Sequence, residues 1–125
     1  MRGKKIVLDL EFIPYRRKQE PYCVHEIIEI GAVALDADNE IYDEFQMYVK
    51  PQYGTVPPFV TAITGITNEM LVGQVSFSEA MQAFEAWLPQ KEPYRFYTWI
   101  GSDQHVFQAE AEWKERPLLG NFYGW

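Results

Sequence analysis

The run Ile6-Val7-Leu8-Asp9-Leu10-Glu11-Phe12 has the two-residue period of a β-strand. Successive strand side chains point to opposite faces, so Ile6, Leu8, Leu10 and Phe12 form an apolar face while Asp9 and Glu11 share the other. A sheet with a core on one side of this strand is therefore required. The acidic side has two readings. Either both carboxylates meet solvent on a wet face, or they hold a hard divalent cation. Like charges beside a hydrophobic strand repel and lose hydration, and oxygen-seeking Mg2+ or Mn2+ relieves both costs.

The next apolar run, Glu26-Ile27-Ile28-Glu29-Ile30-Gly31-Ala32-Val33-Ala34-Leu35, predicts a strand covered on most of both faces, with Gly31 permitting close backbone approach. Pro14 closes the first strand, and residues 15–25 read as a loop able to flank a site. Asp36-Ala37-Asp38-Asn39 supplies turn chemistry, and Ile41, Phe45, Met47 and Val49 alternate in a third strand, completing a meander. Pro57-Pro58 opens a short helix through Ile63 that Gly65 caps. Ser76-Phe77-Ser78-Glu79 is a capping box, and Phe77, Ala80, Met81, Phe84, Trp87 and Leu88 recur at helical spacing until Pro89, a stripe that reads as core. Residues 94–100 form a fourth strand by composition, and a helix runs from Gln104 to Arg116 before Pro117.

Three antiparallel strands, a helix, a returning strand and a further helix make a mixed α/β domain. If the first and fourth strands are parallel neighbours, Asp103 approaches Asp9 and Glu11. Asp103 also suits the N-cap of its helix, and the two roles are compatible. Length fits one domain, 125 residues. No apolar stretch reaches membrane-spanning length and no signal-peptide core follows the charged start, so a soluble, intracellular, cytoplasmic protein with no membrane partner is expected. The lone Cys23 excludes an internal disulfide or a CxxC metal site and reads as a small buried residue. A net charge of −7 argues against indiscriminate phosphate binding. It leaves room for an enzyme that draws its positive charge from bound cations. Arg16-Arg17-Lys18 is the one compact basic run, either a solvated loop or a phosphate clamp.

Taken in order, Asp9-Leu10-Glu11-Phe12, Glu26 to Val33, Tyr48-Val49-Lys50-Pro51, Thr61-Ala62-Ile63-Thr64-Gly65-Ile66-Thr67 and Trp99-Ile100-Gly101-Ser102-Asp103 resemble the DEDD-type (DEDDh) 3′-to-5′ exonucleases, most closely their Eri-1 or histone-mRNA-exonuclease branch. The resemblance covers nearly the whole chain. It implies an RNase H-like fold whose mixed sheet has three antiparallel strands and one parallel strand. It also implies hydrolysis of the terminal phosphodiester of a single-stranded RNA or DNA 3′ end with two Mg2+ or Mn2+ ions. By the same resemblance, Asp9 bridges both ions, Glu11 binds one, and Asp103 supports the second directly or through water. Phe12 and Gln104 lie against the terminal nucleotide, and the segment Thr64-Gly65-Ile66-Thr67 walls its base, with Ile63 as a wedge.

The family pattern ends in a histidine that acts as general base and a fourth aspartate that binds metal. Neither His25 nor His105, even with Glu110 at a loosely similar spacing, replaces that pair. The expectation is that residues 1–125 form the front portion, roughly two-thirds, of an exonuclease domain. Hydrolysis by this chain is then weak or absent, since a positioned base alone contributes roughly 100- to 10,000-fold, and uncovered apolar sheet surface favours a homo-oligomer. Two other readings stay open: a nuclease-like module that binds nucleic acid or protein without cutting, and a structural domain whose acids are merely solvated or capping.

Overall fold

The computed structural model describes residues 4–16, 23–98 and 102–118, with Cys23 and Ser102 described in backbone only. Four strands form one sheet: β1 (Lys4–Arg16), β2 (Cys23–Leu35), β3 (Ile41–Tyr48) and β4 (Tyr94–Thr98). Their order is β3-β2-β1-β4, with β1 antiparallel to β2, β2 antiparallel to β3, and β4 parallel to β1. This is the mixed sheet expected of an RNase H-like fold.

The strand boundaries differ from expectation at the β1–β2 connection. Pro14 does not close β1; it sits inside the strand opposite His25, and the hairpin continues to Arg16 opposite Cys23, where a loop over 15–25 was expected. The reason lies on the other edge. Among the described residues β4 pairs with β1 from Lys4 opposite Tyr94 to Leu8 opposite Thr98. The same register would put residue 104 opposite Pro14, and residue 104 is already helical, so β1 has a neighbour on one side only at the proline, and a strand edge is where proline is tolerated. Arg16 is exposed at the strand end, while Arg17 and Lys18 lie outside the described residues.

One register shift organises the two faces. Glu11 pairs with Glu29 but Phe12 pairs with Ile27, so Ile28 is an extra residue on β2. β1 keeps its alternation through the shift. Ile6, Leu8 and Leu10 belong to the main core with Phe12 packed against it, while Ile13 faces the other side. β2 changes sides: Ile27 and Ile30 both enter the main core and Ile28 joins Ile13 opposite.

On the main-core face lie α3 (Phe77–Trp87) and α4 (Ser102–Trp113). The Ser76–Glu79 capping box is present as expected, and Phe77, Ala80, Met81 and Phe84 are buried. Phe84 meets Phe45, Trp87, Phe96 and Phe107 at ring-centroid distances of 5.2 to 6.4 Å, so the aromatic stripe is core. On the opposite face, α1 (Pro58–Thr64) and α2 (Asn68–Leu71) cover Ile13 and Ile28 through Val60, Ile66 and Leu71. Gly65 caps α1 at φ 79°, a conformation that side chains with a Cβ avoid. The four-residue α2, capped by Thr67, is too short to leave a periodic pattern in the sequence.

Helix α4 begins at Ser102 and ends at Trp113, not at Gln104 and Arg116. Glu115 takes φ 56°, and the Arg116 N–H reaches back to the Ala111 carbonyl at 2.8 Å, which turns the chain out of the helix. Among the described residues no helix is long and apolar enough to cross a membrane.

Candidate active site

Asp103, carried in the first turn of α4, lies against the middle of β1, where its Oδ2 accepts the Leu10 N–H at 3.3 Å. Asp103 is therefore not the cap of its helix; its carboxylate is 93 residues away in sequence, satisfying a strand. Leu10 is the residue between Asp9 and Glu11, so the three acids named from sequence come together around one edge of β1. Asp9 and Glu11 project from the sheet face opposite Leu8 and Leu10. α4 approaches from the main-core side.

The electrostatics carry the mark of that convergence. Burial raises the Glu11 carboxyl above the ordinary carboxylate range, and the charges of Asp9, Glu29 and Asp103 raise it further. Burial likewise raises Asp103, the Leu10 N–H pulls it back, and Asp9 pushes it up again. Both shifts describe acids that resist ionising beside one another, a situation that a cation relieves. The donor set is all carboxylate oxygen, the chemistry preferred by Mg2+ and Mn2+. Among the described residues, no group of three or more His, Cys, Asp or Glu side chains is arranged to hold an ion as it stands. The Leu10 bond engages one oxygen of Asp103, and a carboxylate has two, so that seat is compatible with holding an ion.

The surroundings add one acid that sequence reasoning did not place. Glu29 stands directly opposite Glu11 across the β1–β2 pair and is held by the Gln46 amide at 2.8 Å. Gly31 lies opposite Asp9, and a Cβ there would meet the Asp9 carbonyl at 3.5 Å. That is ordinary contact, so close approach does not dictate the glycine; it leaves the floor beside Asp9 low. Phe12 is half-buried against the core with its ring edge-on to His25 at 5.2 Å, and Gln104 is half-buried next to Asp103. Ile63 is 80% exposed at the end of α1. The Thr64 hydroxyl donates to the Val60 carbonyl and accepts from the Ile66 N–H, which fixes the turn at Gly65. α1 packs on the Ile13 side of β1, the side that Asp9 and Glu11 face.

At the far end of α4 lies a buried network that only an i,i+4 pattern hinted at. Lys114 donates to Glu110 at 2.6 Å and to Glu26 at 2.8 Å; its side chain is 7% exposed and both acids are fully buried. Glu26 also accepts the backbone N–H groups of Gln52, Tyr53 and Gly54. Space at Gly54 is tight, since a Cβ would stand 3.0 Å from Ile13 Cδ1 and 3.2 Å from Glu26 Oε1. Glu110 accepts the Ile27 N–H at 2.6 Å. Burial pushes Glu110 up to about 7 even though Lys114 opposes it. Glu110 thus ties α4 to β2, and His105 is exposed on the same helix.

Comparison with known proteins places this geometry in a wider setting. The family model described as Exonuclease (RNase_T) matches residues 6–111. The 3'-5' exoribonuclease 1 of Homo sapiens is 36% identical over 74 residues, which is 58% of this chain and 21% of that protein. The DNA polymerase III subunit epsilon of Pasteurella multocida is 37% identical over 81 residues, 65% of this chain and 32% of that protein. This chain thus spans a third or less of the length of either relative. Among solved structures, the nuclease domain of 3'hExo, a DEDDh family member bound to rAMP, matches with a TM-score of 0.78 at 24% identity. That match covers 95% of this chain and 63% of the other, and at such identity the likeness is one of fold.

Proposed function

The chain belongs to the Exonuclease (RNase_T) family, and on that premise we propose that it is a 3′-to-5′ exonuclease domain that hydrolyses terminal phosphodiesters of single-stranded RNA or DNA to nucleoside monophosphates. The observation that carries this reading is the seat of Asp103 on the Leu10 N–H, between Asp9 and Glu11. Acids from distant parts of the chain would not be gathered around one strand residue, with Asp9 and Asp103 both raising the proton affinity of Glu11, for stability alone. A pair of divalent ions supplies an activated water and neutralises charge at the phosphate and the leaving 3′ oxygen. Asp9, the most solvent-facing of the three, would bridge such ions. Glu11 would hold one and reach the terminal ribose hydroxyl, and Asp103 would hold the other directly or through water. Mg2+ or Mn2+ suits these oxygen donors.

Phe12 offers the uncovered part of its ring to the terminal nucleotide, with Gln104 beside it. Ile63, Thr64 and Gly65 form a wall along the same strand face, and Ile63 is exposed enough to insert beside a base. The relatives named above include one exoribonuclease and one DNA polymerase subunit, so either sugar fits the reading. We assign no general base within residues 1–125: His25 is engaged with Phe12, His105 faces solvent, and hydrolysis by this chain alone is weak. The single cysteine supports a reducing, cytoplasmic setting.

The test is release of nucleoside monophosphates from a 5′-labelled single-stranded oligonucleotide in Mn2+ or Mg2+. Asp9→Ala and EDTA should each abolish whatever release occurs. Release that survives both overturns the proposal. A second reading, binding of a 3′ end without cutting, is favoured by the positions of His25 against Phe12 and of His105 in solvent. Retention of the labelled strand with no product in Mn2+ would establish it. Sedimentation of the same samples checks for a homo-oligomer.

A further inference from the structure

Helix α4 touches the sheet through a single stripe. Asp103, Phe107, Glu110 and Lys114 recur at intervals of three and four residues and so lie on one helix face. Phe107 is fully buried in the main core between the two acids. Each acid accepts the N–H of a strand residue. Leu10 lies on β1 between Asp9 and Glu11, and Ile27 lies at the register shift of β1 against β2, beyond the stretch of β2 that β3 accompanies. The two attachment points are seven residues apart, about 10 Å along the helix axis.

The distal point is the stronger of the two. Asp103 holds Leu10 with one bond of 3.3 Å. Glu110 holds Ile27 at 2.6 Å and is itself gripped by Lys114, which reaches Glu26 on β2, which in turn accepts three N–H groups of the chain after β3. A rigid helix fixed at one end by such a network has little freedom in rotation or sliding at the other. On the reading proposed above, Asp103 is a metal-binding carboxylate that has to meet Asp9 and Glu11.

We propose that Glu110, clamped by Lys114 and Glu26, is a positioning residue for Asp103: by locking the rotation of α4 it sets where the Asp103 carboxylate meets β1 and the acid pair. Glu110 touches neither substrate nor ion. It acts through the helix, in the way that outer-shell partners orient metal ligands.

The experiment compares the full chain with Glu110→Ala, Glu110→Gln and, as the reference for a vacated seat, Asp103→Ala. The readouts are the Leu10 amide proton shift by NMR and Mn2+ affinity by titration. Glu110→Ala should move the Leu10 signal toward its Asp103→Ala position and weaken Mn2+ binding about 10-fold. Glu110→Gln, which keeps an acceptor for Ile27, should fall between wild type and Glu110→Ala. If Glu110→Ala does not fold, displacement of Leu10 in Glu110→Gln decides alone. A Leu10 signal that stays at its wild-type position while that of Ile27 moves would overturn the proposal and leave Glu110 a purely structural acid. Absence of Mn2+ binding in wild type would instead refute the proposed metal chemistry, and the Leu10 signal would still decide the positioning claim.

Discussion

Replacing Lys114, just past the end of α4, with methionine should be strongly destabilising, and its cost should depend on pH. In the native network one ammonium serves two fully buried carboxylates, and breaking a buried pair by removing one partner typically costs about 3–5 kcal/mol. The two acids do not suffer equally. Glu26 retains three backbone N–H donors, whereas Glu110 retains only that of Ile27. Glu110 already sits at about 7 in the folded chain against an ordinary value of 4.5. Its folded value is the higher one, so below about 4.5 it contributes no pH dependence. As pH rises from there to about 7, folding increasingly disfavours its ionisation and stability falls, by on the order of 3 kcal/mol in all. Without Lys114 the folded value climbs further and the fall continues above pH 7. Lys114→Met should therefore lose little relative to wild type at pH 5, where Glu110 is neutral in both. At pH 8 it should lose about 3 kcal/mol or more, roughly 10 °C in Tm for a chain of this size. Urea titrations at the two pH values measure this, and Lys114→Met with Glu110→Gln should recover more at pH 8 than at pH 5. A loss below about 1 kcal/mol at pH 8, or an equal loss at both, would refute the reasoning.

Asp9→Asn removes a like charge from beside Glu11 and Asp103. Thermal unfolding in EDTA should therefore show unchanged or slightly raised stability, while Mn2+ binding and nucleotide release are lost. Ile63→Ala, at a position 80% exposed, should change stability by less than about 0.5 kcal/mol yet weaken binding of a single-stranded 3′ end in a fluorescence titration. Gly65→Ala meets no crowding but must adopt φ 79°, so a loss on the order of 1 kcal/mol is expected by urea unfolding. Apparent Mn2+ affinity, followed by titration, should decline at a pH above the ordinary carboxylate range, because Glu11 and Asp103 both protonate early.

Local physics was legible in the sequence. The alternation of residues 6–12 placed Asp9 and Glu11 together, the Ser76–Glu79 box began α3, and Gly65 ended α1, because each depends on neighbours a few residues away. Pro14 misled for the opposite reason. A proline reads as a strand end unless one knows that the chain is already helical at residue 104, which the β1–β4 register would set opposite Pro14, and leaves an edge open there. The cap role read for Asp103 gives way to a bond from Leu10 on a distant strand, a partner that local spacing does not announce. The clamp of Glu26, Glu110 and Lys114 joins residues as far as 88 positions apart, and among its bonds only the Glu110–Lys114 spacing is visible in a linear reading. Glu29 was hidden similarly: its place opposite Glu11 follows from register, which alternation alone does not assign.

The extra residue in β2 lets adjacent side chains serve opposite layers, Ile27 in the main core and Ile28 against Val60, Ile66 and Leu71. Deleting Ile28 would restore strict alternation to the strand and take from the smaller layer one of its two buried strand residues, Ile13 being the other. The seating of the α1 turn on the sheet thus depends on a single irregularity in a neighbouring strand.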